Sequence, residues 1–543
     1  LIVNQGVGRA KPGGAPGALG HTGGWNVNQK FVRESRPDVT IMVSETASSI
    51  RTSVGSAGSV AGPRTDGAVV KRLNGMDAML LYSETPNLHT HTLKIAIVED
   101  ADFCFDTFRR TLLRRLHLLE PLRYKLVDIP WRLHHPMWLQ NCDVDLDYHL
   151  RRVQVPAPGG RRELDEVIGD IASTPLDRSR PLWEFHVAEG LADHRLAIIG
   201  KIHHALADGV ASANLLTRLM DADGATQDER DNDTSCVPPS TAELLRAAGR
   251  DHAQQIAALP MVITDALSGA RRLRRRARER GEQPDLARLL HAPPTFMNHL
   301  VSPRRTFATA TLSLAQVKSV GKHLGVTIND MVMAMTSGAL RDLLLRYDGS
   351  ADRPIVASVP ASTNRSPDRI SGNELGGMAV SLPTHIGDPL ERVRLTAVAT
   401  AIAKENNELF GPELYGRLIT YLPPFAAAGA FKWLARRDAR NNLFNIPVSN
   451  VAGPRTRGHL AGAPVSEVYS AGPLIAACGI NITVWSYVDQ LNISVISDDR
   501  TVEDPHEVTD ATVRAFTEIS VAAGVSGEPQ TVDTAMPPAT LKP

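Results

Sequence analysis

The stretch Lys201-Ile-His-His-Ala-Leu-Ala-Asp-Gly209 decides the reading of this 543-residue chain. Ahead of it lies an apolar run, Leu196-Ala-Ile-Ile-Gly200, with the character of a buried strand. Behind it Val210, Ala213, Leu216, Leu219 and Met220 recur at helical spacing. The nine residues are therefore a strand-to-helix turn. Neighbouring side chains in a strand point to opposite faces, so only one of His203 and His204 can face a given cavity. A histidine at a strand end, its ring oriented by backbone contacts, is a natural general base near neutral pH. Asp208 stands just before the helix, where its carboxylate can cap free N–H groups or receive an arginine. Gly209 leaves room for close approach of a ligand or backbone. On spacing alone, a buried histidine at a turn with Asp208 as an N-cap is the stronger reading.

Outward from this turn, the pattern alternates between strands and helices. Strands are expected at Leu93–Val98, Trp183–Ala188 and Leu196–Ile202, with helices at Phe105–Leu119, Leu164–Ala172 and from Ser212 to Met220. A polar stretch, Asp221 to Pro239, separates this half from the next. Two helical segments are expected to flank seven arginines in ten residues, Arg271 to Arg280. Then come a helix at Leu314–Leu324, which Gly325 ends as its C′ residue, and a long helix from Ile328 to Tyr347. Strands recur at Ile355–Val359, Met378–Leu382, Asn445–Val448, Ile482–Tyr487 and Leu491–Ile496, before a last helix from Pro505 to Ala522. The pattern predicts two α/β halves with a crossover.

Composition narrows the class. An apolar fraction of 43% and a charged fraction of 22% are those of a globular chain with sizeable cores. Lys+Arg and Asp+Glu both count 59, which gives no reason to expect a nucleic-acid partner. Four scattered cysteines without CxxC spacing argue against a disulfide framework or zinc site and for a reducing compartment. No apolar run reaches the roughly 20 residues of a membrane-spanning helix, and none near the start has signal-peptide length. The chain does not span a bilayer but could lie on one. The first 70 residues hold 12 of the 41 glycines and read as a disordered extension. The chain begins with Leu, which fits a non-standard start codon or a misplaced gene start. The expected divisions are residues 1–70 (extension), 71–222 (first α/β domain, with the histidine turn), 223–300 (linker and helical crossover), 301–525 (second domain) and 526–543 (loose tail).

His203-His204-x-x-x-Asp208-Gly209 resembles the HHxxxDG motif of CoA-dependent acyltransferases, shared with peptide-synthetase condensation domains and chloramphenicol acetyltransferase-like proteins. Four further segments narrow the resemblance. Arg180-Pro181-Leu182-Trp183-Glu184 resembles a PLW motif, and Asn329-Asp330 an ND motif. Ser449-Asn450-Val-Ala-Gly453-Pro454 is similar to NVPGP, and Gly472 to Tyr487, containing Asn481, Thr483 and Ser486, to GPxIxxxGxNITVxSY. Together, from about Leu73 to Ala523, they resemble the bacterial wax ester synthase/diacylglycerol acyltransferase (WS/DGAT) family. Ala452 departs from the family's usual proline and relaxes the loop's φ restraint. The resemblance implies an α/β (α+β) fold of two chloramphenicol acetyltransferase-like domains joined by a helical crossover, with the active site at their interface. It also implies transfer of a fatty acyl group from acyl-CoA to diacylglycerol or a long-chain alcohol, with His204 as base and Asp208 holding the motif loop. Acyl-CoA enters as substrate, with no cofactor or metal required. The implied setting is peripheral, on the cytoplasmic side of the inner membrane or on lipid droplets.

Each motif has a plainer reading. Trp183 can be a core aromatic, and Asp330, three residues after Thr327, has capping-box spacing. Asn450, Gly453 and Pro454 look like a turn, while Asn481 and Thr483 can be ordinary sheet residues. Groups around Asn481 to Ser486 are nevertheless the candidates for oxyanion donors. No GxSxG, GxxxxGK[ST] or HExxH occurs. His89 with His91, and His134 with His135, lack a matching ligand set and read as surface or substrate-lining residues. Leu418–Leu434, followed by Arg436 and Arg437, is either a lipid contact or a buried helical hairpin. The arginine run reads as a solvated or membrane-surface face. Two alternatives stay open: an acyltransferase of the same superfamily with a carrier-protein or polyketide acceptor, and an inactive lipid-binding scaffold.

Overall fold

In a computed structural model, residues 70–99, 102–220, 238–287, 291–434 and 443–525 are described. The expected N-terminal extension, most of the polar stretch 221–239, Arg436, Arg437 and the tail 526–543 lie outside them.

The first half runs β1 (Val70–Arg72), α1 (Gly75–Ser83), β2 (His91–Val98), α2 (Phe105–Arg115), β3 (Lys125–Val127), β4 (Met137–Leu139), α3 (Leu146–His149), β5 (Leu150–Gln154), α4 (Arg161–Ser173), β6 (Trp183–Glu189), β7 (Leu196–His203) and α5 (Gly209–Leu219). A crossover helix, α6 (Thr241–Arg280), follows. The second half comprises β8 (Arg305–Ser313), α7 (Leu314–Leu324), α8 (Ile328–Tyr347), β9 (Ile355–Ser362), β10 (Leu375–Leu382), α9 (Pro389–Phe410), α10 (Leu414–Ile419), α11 (Pro424–Leu434), β11 (Ile446–Ala452), β12 (His459–Leu460), β13 (Ala463–Ala471), β14 (Ile480–Tyr487), β15 (Gln490–Asp498) and α12 (His506–Ala522).

Two six-stranded sheets carry the architecture, ordered β12-β13-β2-β7-β6-β5 and β10-β9-β11-β14-β15-β8. A small sheet, β1-β4-β3, sits apart. The mixed α/β fold with two sheet-bearing halves is the one expected. The near-continuous apolar strands β2 and β7 are central and buried along their full length, as strands covered on both faces must be. Even-numbered residues of β2 face one core with Trp183, Leu215 and Trp485. Odd-numbered ones face a second core with Ile168 of α4 and Phe307 of β8. The second half has its own core around α8, β14 and β15. The chain crosses back at β12–β13 to complete the first sheet, so the second half lends two strands to the first.

Helix ends follow local chemistry. Asp208 accepts from Ala211 N at the start of α5. Thr327 and Asp330 form the expected capping box of α8, and Gly325 takes the left-handed conformation (φ 69°) that closes α7.

Three expectations are corrected. The arginine run is not flanked by two helices, because it forms the last turns of the single 40-residue helix α6. Arginine is a good helix former, and neither Gly nor Pro interrupts residues 271–280. The helix expected to reach Leu119 ends at Arg115, giving way to a tighter turn over Leu116–Leu118. Cys142 is disulfide-bonded, so scattered spacing did not exclude a cross-link. Helix α6 bridges the halves. Asp251 pairs with Arg72, while Arg272 donates to Leu409 O and Arg280 pairs with Glu405.

Candidate active site

The turn after β7 is clamped to the second half by backbone. Ala207 forms a parallel bridge with Gly372, Gly372 N donates to Leu206 O (2.7 Å), and Asp208 N donates to Gly372 O (3.3 Å). Gly372 (φ +79°) supplies the backbone bend in the loop between β9 and β10. Asp208, fully buried, takes Arg369 Nη2 at 2.8 Å on one oxygen and Glu374 N at 3.1 Å on the other. It is thus both helix cap and arginine receiver. Gly209 provides room for Val451 of β11, since a Cβ there would stand 3.1 Å from the valine side chain.

The two histidines diverge as strand geometry requires. His203 is buried in the first half, its ring bonded to Thr90 Oγ1 (3.0 Å) and to Ala205 N (3.0 Å). His204 is only half-buried and faces the other way. Its Nδ1 meets Asn373 Oδ1 at 2.9 Å. The Asn373 amide nitrogen donates to Asp77 Oδ1 (2.8 Å) and to His204 O (2.7 Å). That leaves the amide oxygen as acceptor and puts the imidazole proton on Nδ1. Among the described residues nothing bonds His204 Nε2, so its lone pair is available. Burial pushes the Asp77 carboxyl up to about 7 against the hydrogen bonds from Asn373.

A further charged group stands by. Lys94, the lone charge within buried β2, donates to Ser470 Oγ and lies 4.7 Å over the Trp485 ring. Burial pushes its ammonium down to about 7. His204 is held below the ordinary histidine range, first by desolvation and also by the Lys94 charge, with Asp208 and Asn373 opposing. Desolvation and the Lys94 charge both disfavour the imidazolium.

The other motif residues lie around this centre rather than in it. Leu182 O accepts His203 N (2.9 Å), and buried Trp183 donates to Leu122 O (2.7 Å). Pro181-Leu182-Trp183 thus fixes the strand end that presents the histidines. Asp330 is tied to Thr327 and Thr400 at the start of α8, with Asn329 beside it. Gly453 N donates to Ser486 O (3.1 Å), and a Cβ at Gly453 would strike Trp485 Nε1 at 2.2 Å. Pro454 O accepts Val488 N (2.9 Å), and Asn450 pairs with Val484 across β11 and β14. Asn481 donates to Pro473 O (2.7 Å) and accepts from Thr483, which in turn receives Gly472 N. Those side chains anchor a turn. His89, His91 and His135 are buried, not at the surface. His91 donates to Ala172 O (2.8 Å). Among the described residues no group of three or more candidate ligands is placed to hold a metal.

Asp77, Arg369, Asn373 and Lys94 were missed by the sequence reading. A Leu side chain at 373 would strip His204 of its acceptor and Asp77 of its amide donor. Because small misplacements of a reacting group cost about 100-fold, Asn373→Leu is expected to lower kcat on that scale with KM little changed, as steady-state kinetics would show.

The wax ester synthase/diacylglycerol acyltransferase catalytic-domain model matches residues 73–332, and the WS/DGAT C-terminal domain model matches residues 371–520. A Mycobacterium tuberculosis H37Rv protein assigned by name to the diacylglycerol O-acyltransferases is 54% identical over 474 residues, covering 86% of this chain and 99% of that protein. The chain belongs to the WS/DGAT family. A second M. tuberculosis protein carrying the same kind of name is 34% identical over 83% of this chain and 90% of its own length. Among solved structures, the wax ester synthase/diacylglycerol acyltransferase of Marinobacter aquaeolei VT8 superposes with a TM-score of 0.60 at 24% identity, covering 83% of this chain and 99% of that one. The first condensation domain of the calcium-dependent antibiotic synthetase gives 0.54 at 15% identity, covering 85% and 98%. These two likenesses concern the fold. This WS/DGAT-type protein is an acyltransferase, with its HHxxxDG turn at the seam of the two halves.

Proposed function

We propose that this WS/DGAT protein transfers a long-chain fatty acyl group from acyl-CoA to the hydroxyl of diacylglycerol, with long-chain alcohols as a second acceptor class. The observation that supports it most is His204, its Nδ1–H held by Asn373 and its Nε2 open at the junction of the halves. In this reading Nε2 takes the acceptor hydroxyl's proton as that oxygen bonds to the thioester carbon. The tetrahedral intermediate collapses with cleavage of the carbon–sulfur bond. The CoA thiolate, whose thiol pKa is about 8.5, leaves and recovers the proton from the imidazolium. The insolubility of such acceptors places the protein peripherally at a membrane or droplet surface. No helix among the described residues is long and apolar enough to cross a bilayer.

Incubation with labelled palmitoyl-CoA and either diacylglycerol or hexadecanol, followed by chromatography, is expected to yield labelled triacylglycerol and, with the alcohol, wax ester. Label retained in acyl-CoA with both acceptors would remove this reading.

The electrostatics make a second prediction. The active base is neutral, so activity is lost as pH falls through the folded pKa of His204. That acid limb is expected below the 6.5 of an unperturbed histidine. Lys94→Met removes a charge that disfavours the imidazolium, so the limb should move upward in pH. A pH profile of kcat/KM for both proteins checks the sign.

A further inference from the structure

Helix α6, about 60 Å long at 1.5 Å per residue, has one side packed inward through Leu244, Ala248, Val262 and Gly269. A different side is uncovered. Ile256 is 70% exposed, Ile263 48%, and Leu259 and Leu267 are exposed with them. At 3.6 residues per turn these four fall within roughly 120° of arc. Arg271, Arg274 and Arg278 continue the same stripe for the next turns. None of these three forms an ion pair among the described residues, whereas Arg276 and Arg280, turned toward α9, pair with Glu405.

The apolar part of the stripe has neighbours of the same kind. His252 on α6 bonds Leu133 O (2.7 Å), which brings up the turn Pro130–Arg132. That turn holds Trp131 77% exposed with φ 54°, a conformation that a bulky side chain seldom adopts. Helix α11 lies against the same turn and exposes Phe425 (72%) and Trp433. Three elements in contact around this turn thus expose aromatic and aliphatic side chains, and along α6 the stripe is continued by arginines that have no ion pair among the described residues.

We propose that this face docks the protein on an anionic lipid surface, with α6 lying along it. Apolar side chains would enter the acyl boundary while Arg271, Arg274 and Arg278 meet headgroup phosphates. The row of positive charge in line with the apolar stripe, without ion pairs among the described residues, is the complement of such a surface. The proposal rests on the reading that the acceptor is a lipid, and the fold links the two places. Helix α11 packs on α1, whose Asp77 bonds Asn373, the residue that holds His204.

The test is co-sedimentation of the full chain with vesicles of phosphatidylcholine alone and of phosphatidylcholine mixed with phosphatidylglycerol. Wild type is expected to sediment, more strongly with phosphatidylglycerol and less so at high salt. Ile256→Glu with Ile263→Glu should lower binding at least about tenfold on both compositions. Arg271→Glu with Arg274→Glu and Arg278→Glu should abolish the preference for phosphatidylglycerol. Thermal melting of each variant confirms folding, and acyl transfer from butyryl-CoA to a water-soluble alcohol should stay at the wild-type level. That control separates a failure of docking from a failure of the acyl-transfer reading. The proposal is overturned if wild type remains in the supernatant, or if the folded variants sediment as wild type does. It is overturned equally if wild type is a dimer that Ile256→Glu with Ile263→Glu dissociates without any vesicle binding, because the face would then belong to a second copy.

Discussion

His204→Gln is expected to lower kcat for acyl transfer by about 10³-fold, within the range that a positioned general base contributes. The substitution removes the Nε2 lone pair but keeps an amide that can donate to Asn373 Oδ1, so the hydrogen-bonded frame survives. His204→Ala should be equally inactive and somewhat less stable, because it leaves the Asn373 oxygen unpaired at a cost of about 1–3 kcal/mol. Steady-state kinetics beside thermal melting separates the two effects. His203→Ala makes the contrast. His203 is fully buried and serves Thr90 and Ala205 N, so its loss should appear mainly as instability.

The second large effect concerns the ion pair that ties the halves together. Asp208→Ala removes the partner of buried Arg369, the cap on Ala211 N and the acceptor of Glu374 N. An unpaired buried guanidinium costs about 3–5 kcal/mol, which urea unfolding would register as a lower midpoint. Activity should fall with it, because Asn373 lies within the same Arg369–Glu374 segment. Arg369→Met should do comparable damage by stranding the carboxylate. The double variant Asp208→Ala with Arg369→Met is expected to lose less than the sum of the two singles, since groups in direct contact couple. Additive losses would mean that the pair does not act as a unit.

The strand-turn-helix at His203–Gly209 was legible because an apolar run changes there to helical spacing, and opposite strand faces had already separated the two histidines. The length of α8 and its Thr327–Asp330 cap were legible from spacing and chemistry alone. Strands β8 and β13 were not. β13 buries Ser466, Glu467 and Ser470, and its partner β2 lies more than 350 residues earlier. A single sequence shows no such pairing, so the loan of β12 and β13 to the first sheet was invisible. The same distance hid Arg369, Asn373 and Asp77, which reach the motif turn through the fold and not through local pattern. Lys94 did leave a signal, as the only charge in Leu93–Val98, an otherwise apolar buried strand. The motif residues Trp183, Asp330, Asn481 and Thr483 show why a motif is not a list of reacting groups. Each is spent on a hydrogen bond that holds backbone or a helix end in place.

The central claim is that His204 Nε2 activates a lipid hydroxyl against an acyl-CoA thioester. Its most direct test is the rate of thiol release from palmitoyl-CoA, with and without diacylglycerol, for wild type and His204→Gln. Release that depends on the acceptor in wild type and is lost in the folded variant is the predicted result. Acceptor-dependent release that persists in His204→Gln, or release from wild type that ignores the acceptor, would contradict the account.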